Sequence, residues 1–421
     1  MGQGQLKAHC DRSRYLLLRF YPELGFQPTT PWLKMQTLVD VVSATDGLIK
    51  INKPIVDGNF AYALGEEVDA TAGKAFLRLL RWSLESGELT KFDRVESGKY
   101  IPNRYRGYSY EGSFDCAAVA DGKYFYSRGF GGIWVFPTDG GKVEQLREAE
   151  GLPTDIVQSF AILDGKLYAA LGGTQLTASG GRSDLIHSGS FLVAYDLKTR
   201  ACDVLVSTRR KEKQSPFDDG PPFVATLVVA DTARHRIVFL GGNSSRREAQ
   251  QIAAAGTPSG IWEYGAKEKM FRFLSSVPVE RWGHYHSAEQ RILTGVRDLW
   301  SFDLAKDRLE LFYTAAYPDV WWKMLAQTYP EIKSNRSSRM MDGSLLLHPP
   351  YVLLDGWLWS ASPWGRIRLD GTNQEYFSSL RTKETPDYFL YPTTCIEPIA
   401  NGRRLLVGDH YGLWLLDLKK E

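Results

Sequence analysis

The residues best placed to do chemistry in this sequence are His284, Tyr285 and His286, within the run Trp282-Gly283-His284-Tyr285-His286. Imidazole is a common metal ligand and, because it titrates near neutral pH, a common general base. Residues two apart on a strand share a face, so His284 and His286 can act together. Three roles fit the pair. It can hold a divalent metal with a third ligand from Asp409 or His410. It can abstract a proton while Tyr285 serves as the acid. It can also be structural, or contact a ligand without turnover. The spacing alone does not choose among them, and no cofactor is predicted. No GxSxG elbow, HExxH run or phosphate-binding loop accompanies the pair.

A second set of residues suits recognition better than catalysis. Arg106, Arg128, Arg297, Trp364, His410 and Tyr411 combine guanidinium forks with flat rings. Arginine matches carboxylate or sulfate with two parallel hydrogen bonds, and aromatic faces stack on sugar rings. A small anionic molecule or a glycan suits them, as does a partner protein. The competing expectation for each arginine is a structural ion pair with a nearby acid.

The whole chain has 421 residues, 43% hydrophobic and 24% charged, which is ordinary for a globular protein. Aromatic content of 13% together with 39 Gly favours short strands and many turns over long helices. A formal charge of +2 gives no reason to expect a nucleic-acid partner. The four cysteines, Cys10, Cys116, Cys202 and Cys395, are scattered without a CxxC pair. They read as isolated thiols on strands, with one long-range disulfide as the alternative. No apolar run reaches the length of a membrane span. The run Tyr15 to Phe20 is too short for a signal peptide and is interrupted by Arg19, so the compartment is left open.

The elements that must position these residues show themselves as a repeat. Asp57-Gly58, Asp121-Gly122, Asp164-Gly165, Asp355-Gly356 and Asn401-Gly402 each separate two strand-like runs, as type I′ hairpin turns do. Two less standard turns, at Arg234-His235 and Glu289-Gln290, bring the hairpins to seven. After each comes a Trp or aliphatic residue, then an apolar residue two later, often followed by an acid. Trp82-Ser83-Leu84-Glu85, Trp300-Ser301-Phe302-Asp303 and Trp414-Leu415-Leu416-Asp417 carry it in full. Trp134 and Trp262 lack the acid. A polar turn and a fourth strand complete the unit, and a hairpin plus two further strands is one β-propeller blade. The expectation is an all-β, seven-bladed β-propeller of four-stranded antiparallel blades. Its units centre near 48–95, 115–147, 157–208, 223–274, 284–313, 341–377 and 392–418. The unit at 284–313 is the weakest, and miscounting it gives six or eight. The last unit lacks a fourth strand, which residues 33–42 are expected to supply, leaving no bare edge. Residues 1–32 then form an N-terminal extension, and 33–421 a single propeller domain.

In a blade the first and third turns lie at one end, the second turn and the inter-blade link at the other. The long segments, Tyr100 to Ser113, Thr174 to Ser188, Asn243 to Ser259, Ala315 to Arg339 and Arg381 to Leu390, all fall on the second kind. That end is therefore the expected binding face. Short surface helices are expected at 246–255 and 318–329, and Gly172-Gly173 and Gly241-Gly242 read as turns.

The run Gly151-Leu152-Pro153-Thr154-Asp155-Ile156-Val157, followed by Leu163-Asp164-Gly165-Lys166-Leu167-Tyr168, resembles the repeat of two-component-regulator propellers. Asn401 to Gly408 with Gly412-Leu413-Trp414 is similar to the same repeat without its opening step. The resemblance implies a sensory or ligand-binding propeller, commonly extracytoplasmic in bacteria. It carries no catalytic residue, and no kinase or DNA-binding output segment is read after Glu421. The leading expectation is thus a propeller that binds a ligand or partner at the axial mouth of its long-loop face. The alternative is a lyase or hydrolase acting on a polysaccharide or glycoside through His284 and His286.

Overall fold

The computed structural model describes residues 33–40, 48–99, 116–129, 131–179, 182–207, 225–241, 260–277, 283–286, 290–294, 298–314, 351–361, 364–368, 374–376, 395–399, 403–409 and 412–418. The strands begin with β1 (Leu33–Asp40), β2 (Leu48–Asp57), β3 (Phe60–Asp69), β4 (Lys74–Ser83) and β5 (Leu89–Lys99). Next come β6 (Cys116–Ala120), β7 (Lys123–Ser127), β8 (Ile133–Pro137), β9 (Glu144–Leu146), β10 (Val157–Leu163), β11 (Lys166–Ser179), β12 (Arg182–Asp196) and β13 (Cys202–Ser207). They continue as β14 (Ala225–Asp231), β15 (Arg236–Gly241), β16 (Gly260–Gly265), β17 (Met270–Ser276), β18 (Gly283–His286), β19 (Arg291–Thr294), β20 (Asp298–Asp303) and β21 (Arg308–Thr314). The series ends with β22 (Tyr351–Leu354), β23 (Trp357–Ala361), β24 (Trp364–Arg368), β25 (Gln374–Tyr376), β26 (Cys395–Ile399), β27 (Arg404–Asp409) and β28 (Gly412–Leu418). Strands pair in fours, consecutive in all sheets but the one in which β1 joins β28, β27 and β26. A four-stranded antiparallel sheet of this kind is the blade of a β-propeller. No α-helix occurs among the described residues, and the helices expected at 246–255 and 318–329 lie outside them.

Turn chemistry explains the hairpins. Asp121 and Gly122, Asp164 and Gly165, and Asp355 and Gly356 all have positive φ, as both central residues of a type I′ turn must. The less standard turns reach the left-handed region through His235 (φ 49) and Gln290 (φ 51). Asn401-Gly402 lies outside the described residues. The acid that follows a third strand also has a local task. Asp196 accepts the backbone N–H of Lys198 (3.0 Å) and Thr199 (2.7 Å). Asp303 accepts those of Ala305 (2.9 Å) and Lys306 (3.1 Å). Each closes the third turn of its sheet.

Two compact units divide the chain. One is Thr45–Gly295 with Phe302–Leu309; the other is Met1–Ala44, Val296–Ser301 and Glu310–Glu421. The expectation of seven blades is corrected here: six four-stranded antiparallel blades lie whole within one unit. The four strands β18–β21 are split instead, because β20 and β21 both cross the division. The physical reason lies in the first hairpin of that set. β18 and β19 run for only 4 residues each, and they join without an Asp-Gly or Asn-Gly turn. In the second unit β1 pairs antiparallel with β28, from Leu33 opposite Leu418 to Asp40 opposite Gly412, so the segment expected at 33–42 does supply the outer strand.

Alternating apolar residues fill the spaces between neighbouring sheets. Tyr62, Leu64, Leu77 and Leu79 pack against Tyr124, Tyr126 and Phe136. Phe125, Val135 and Leu146 pack against Val157, Phe160 and Val193, with Leu152 of the inter-blade link inserted in the same cluster. In the second unit Trp357 and Trp359 pack on Ile396, Val407 and Trp414. Of the repeat tryptophans, Trp82 and Trp414 are buried while Trp134, Trp262 and Trp300 are only half-buried. Trp357 and Trp359, also buried, sit on a second strand, a position the repeat pattern did not mark.

Two expectations about the long-segment end change. The stretch read as a loop from Thr174 to Ser188 is mostly an extension of the β11–β12 hairpin, paired from Thr174 opposite His187 to Ser179 opposite Arg182. Gly172 is not at a turn; it marks a register shift inside that hairpin, with φ 84. The segments 100–113, 243–259, 315–339 and 381–390 lie outside the described residues.

Polar contacts stitch the short-turn end of the first unit from sheet to sheet. Arg81 of β4 donates to the Thr138 carbonyl (3.2 Å) of the next sheet. Arg200 pairs with Glu144 (2.6 Å), and His235 meets Asp164 (3.1 Å). The densest set surrounds buried Arg236, which binds Asp231 (2.8 Å), Glu263 (2.5 Å), Asp307 (2.6 Å) and the Leu304 carbonyl (2.7 Å). Arg272 and Arg234 add bonds to Glu263 (2.5 Å) and Asp307 (3.0 Å). Burial alone would raise the carboxyl pKa values of Glu263 and Asp307, but these guanidinium groups outweigh it and hold both below the usual range.

Candidate functional site

At the opposite end of the first unit, where second strands finish, the chain gathers a different kind of polar group. Pro54 cannot donate to a ladder, and the β2–β3 pairing slips between Asn52 and Ile55 beside it. Lys53 takes a positive φ of 38, and its carbonyl is held by the Tyr124 hydroxyl (2.8 Å) of the neighbouring sheet. This bulge sets Asn52, fully buried, against Glu66 near the end of β3. The Asn52 amide nitrogen donates to Glu66 Oε1 (2.7 Å), and Arg128, just past β7, donates to the same oxygen.

The electrostatics are set by burial and by two cations. Burial alone would raise the Glu66 carboxyl pKa. The Arg128 and Lys50 charges and the bonds from Asn52 and Arg128 outweigh it, so Glu66 is held below the usual carboxylate range. Asn52 Oδ1 is buried and has no hydrogen-bond donor among the described residues. The Arg128 side chain is 27% exposed. The trio thus spans two sheets, with its charge compensated underneath and the Arg128 side chain partly exposed.

The next residue, Glu67, lies on the other face of β3, as alternation requires. It is forked by Arg78 and met by Arg94 at 3.6 Å, and Arg94 also stacks over Phe76 (4.1 Å). Glu66 and Glu67 therefore do not share a site as the paired carboxylates of a glycosidase would.

The residues expected at the axial mouth are placed as follows. Arg128 is brought to Glu66 and Asn52. His284 and His286 lie on β18 opposite Leu293 and Arg291, with Tyr285 between them opposite Ile292. The Tyr285 phenol is pushed up in pKa, first by burial and also by Asp231, against the lowering effect of its bond with Gln290. The phenol therefore stays protonated at neutral pH. Trp364 opens β24, opposite Ala361, in the second unit. Its neighbour Arg366 is buried with its guanidinium over Trp357 (3.9 Å) and Trp359 (5.3 Å). Arg106, Arg297, His410 and Tyr411 lie outside the described residues, whereas Asp409 ends β27 opposite Gly412. Among the described residues no group of three or more His, Cys, Asp or Glu could hold a metal ion. None of their helices is long and apolar enough to cross a membrane.

Asn52 and Glu66 were not picked out from the sequence, although signals for both exist. Asn52 stands two residues before a proline that interrupts a strand, and Glu66-Glu67 interrupts the apolar run of Ala61 to Val68. An acid in such a run is buried only with a partner.

No family model matches the chain, and no curated protein matches it in sequence. The resemblance of residues 151–168 to two-component-regulator repeats therefore stands on those residues alone. Solved structures give loose likenesses. A Mycobacterium tuberculosis puromycin-hydrolyzing peptidase is 12% identical over 91% of this chain and 53% of its own, with a TM-score of 0.45. This chain thus spans about half the length of that peptidase. A gluconolactonase from Xanthomonas campestris is 14% identical over 72% of this chain and 85% of its own, with a TM-score of 0.39. The computationally designed Ika8 protein is 9% identical over 91% of this chain and all of its own (100%), with a TM-score of 0.42. At such scores none lends its activity to this chain.

Proposed function

We propose that this chain is a ligand-binding β-propeller protein that recognises a hydroxyl-rich ligand, a carbohydrate, at the long-segment end of its blades. The observation that carries this reading is the trio Arg128, Glu66 and Asn52. An arginine whose charge is already balanced by a buried carboxylate gains little from a further anion. It remains a rigid, oriented donor for neutral hydroxyls, and fixed donors of this kind give sugar sites their selectivity. Glu66 and Asn52 act as positioning residues beneath it. The test is binding to arrays of neutral and acidic glycans. Neutral glycans are expected to bind wild type, and Arg128→Ala to lose them. The variant is compared at a temperature where it remains folded, because Glu66 loses its main cation. Binding confined to acidic glycans, or unaltered by Arg128→Ala, would overturn the assignment. Turnover of a bound glycan that disappears in His284→Ala or His286→Ala would replace it with the enzyme alternative.

A further inference from the structure

Arg81, at the short-turn end of the first sheet, differs from the other arginines there. Its guanidinium lies 5.0 Å from the Phe60 ring centroid and 5.3 Å from that of Phe92. Its hydrogen-bond acceptors are neutral: the Thr138 carbonyl (3.2 Å), the Thr90 hydroxyl (3.4 Å) and the Tyr62 phenol. The Tyr62 pKa is raised, chiefly by burial, so that phenol supplies no negative charge at neutral pH. Among the described residues Arg81 forms no ion pair; Asp57, which acts on Tyr62 electrostatically, is exposed and does not reach it. Its Nε–H is buried and has no acceptor among the described residues. Arg200, Arg234, Arg236 and Arg272 at the same end each have a carboxylate.

We propose that Arg81 and the rings of Phe60 and Phe92 form a binding site for the carboxylate of a small organic acid, separate from the long-segment end. Three features support it. A half-buried guanidinium that lacks a counter-charge gains from an anion more than a paired one does. Thr138, Thr90 and Tyr62 do not take every terminal N–H of the guanidinium, so one remains for a carboxylate oxygen, while the buried Nε–H is closed to a ligand. Phe60, at 36% exposure, offers an apolar wall beside that charge.

Saturation-transfer NMR with benzoate as the probe, and neutral benzamide as its isostere, tests the site. Wild type is expected to show transfer to benzoate that acetate competes away, with several-fold less transfer to benzamide. Arg81→Met, which keeps the chain length between the rings, should lose the benzoate signal. If that variant does not fold, Phe60→Ala keeps the test alive: it should weaken benzoate several-fold while leaving acetate nearly unchanged. Equal transfer to benzoate and benzamide, or a benzoate signal that survives loss of the arginine, overturns the proposal. Benzoate transfer abolished by Arg128→Ala but not by Arg81→Met would move the anion to the other end, and likewise overturns it.

Discussion

Two clusters of the first unit, the one around Arg236 and the one around Glu66, treat buried charge in opposite ways, and Arg81 belongs to neither. At the short-turn end Arg236 meets Asp231, Glu263 and Asp307, with Arg234 and Arg272 around them, and the acids and bases nearly balance. At the other end Glu66 is likewise buried and paired, but the side chain of its partner Arg128 is partly exposed and, among the described residues, Asn52 Oδ1 has no donor. A closed network fixes neighbouring sheets and has little left to offer a ligand. A network left open at one member costs stability and keeps hydrogen-bonding capacity for something else. The difference separates holding from binding.

The largest effect should come from opening the closed network. Arg236→Met leaves Asp231 buried without a cation and takes the buried guanidinium from Glu263 and Asp307, which keep Arg272 and Arg234. It should cost about 3–5 kcal/mol in denaturant unfolding. Glycan binding by the folded fraction should not change. A cost below about 1 kcal/mol would mean that the two clusters do not differ as described.

Acid should act next. Glu66, Glu263 and Asp307 all have depressed folded-state pKa values. Their contribution is therefore present above the unfolded values, 4.5 for the Glu residues and 3.8 for Asp307, and is lost as pH falls through the folded ones. Thermal midpoints should be steady from about pH 7 to 5 and fall steeply below about pH 4. Arg236→Met should flatten the fall; a profile as steep as that of wild type would remove the network from the explanation.

Glu66→Gln sharpens the comparison from the open end. It removes the charge that orients Arg128 and should cost about 1–3 kcal/mol, together with most glycan affinity. Smallest of all is Asn52→Ala, which deletes one hydrogen bond and one unsatisfied oxygen together. Its stability change should stay within about 1 kcal/mol by thermal unfolding. A larger loss would mean that Asn52 is a structural keystone and not part of an open site.

The sequence made the blades legible because turn chemistry is local. Asp121-Gly122, Asp164-Gly165 and Asp355-Gly356 state their own φ values, and the acids Asp196 and Asp303 announce third turns by closing them. The segment 33–40 was legible by subtraction, since the last unit lacked a strand. The weak set at β18–β21 was legible only as a doubt, because four-residue strands carry little pattern. The long β11–β12 hairpin was missed because Gly172-Gly173 imitates a turn, although its role there is to shift register. The site was barely legible at all. Arg128 could be named from its place at the end of a second strand. Its partners sit 62 and 76 positions earlier, and pairings across sheets leave no local mark.

The most direct measurement is the affinity of one neutral glycan for four proteins: wild type, Arg128→Ala, Glu66→Gln and Arg236→Met, compared at a temperature where all remain folded. The division of labour between the two clusters predicts that Arg128→Ala and Glu66→Gln weaken binding at least tenfold while Arg236→Met, the least stable of the set, binds like wild type. If affinity instead follows stability across the four, with Arg236→Met the weakest binder, the open trio is not the binding site.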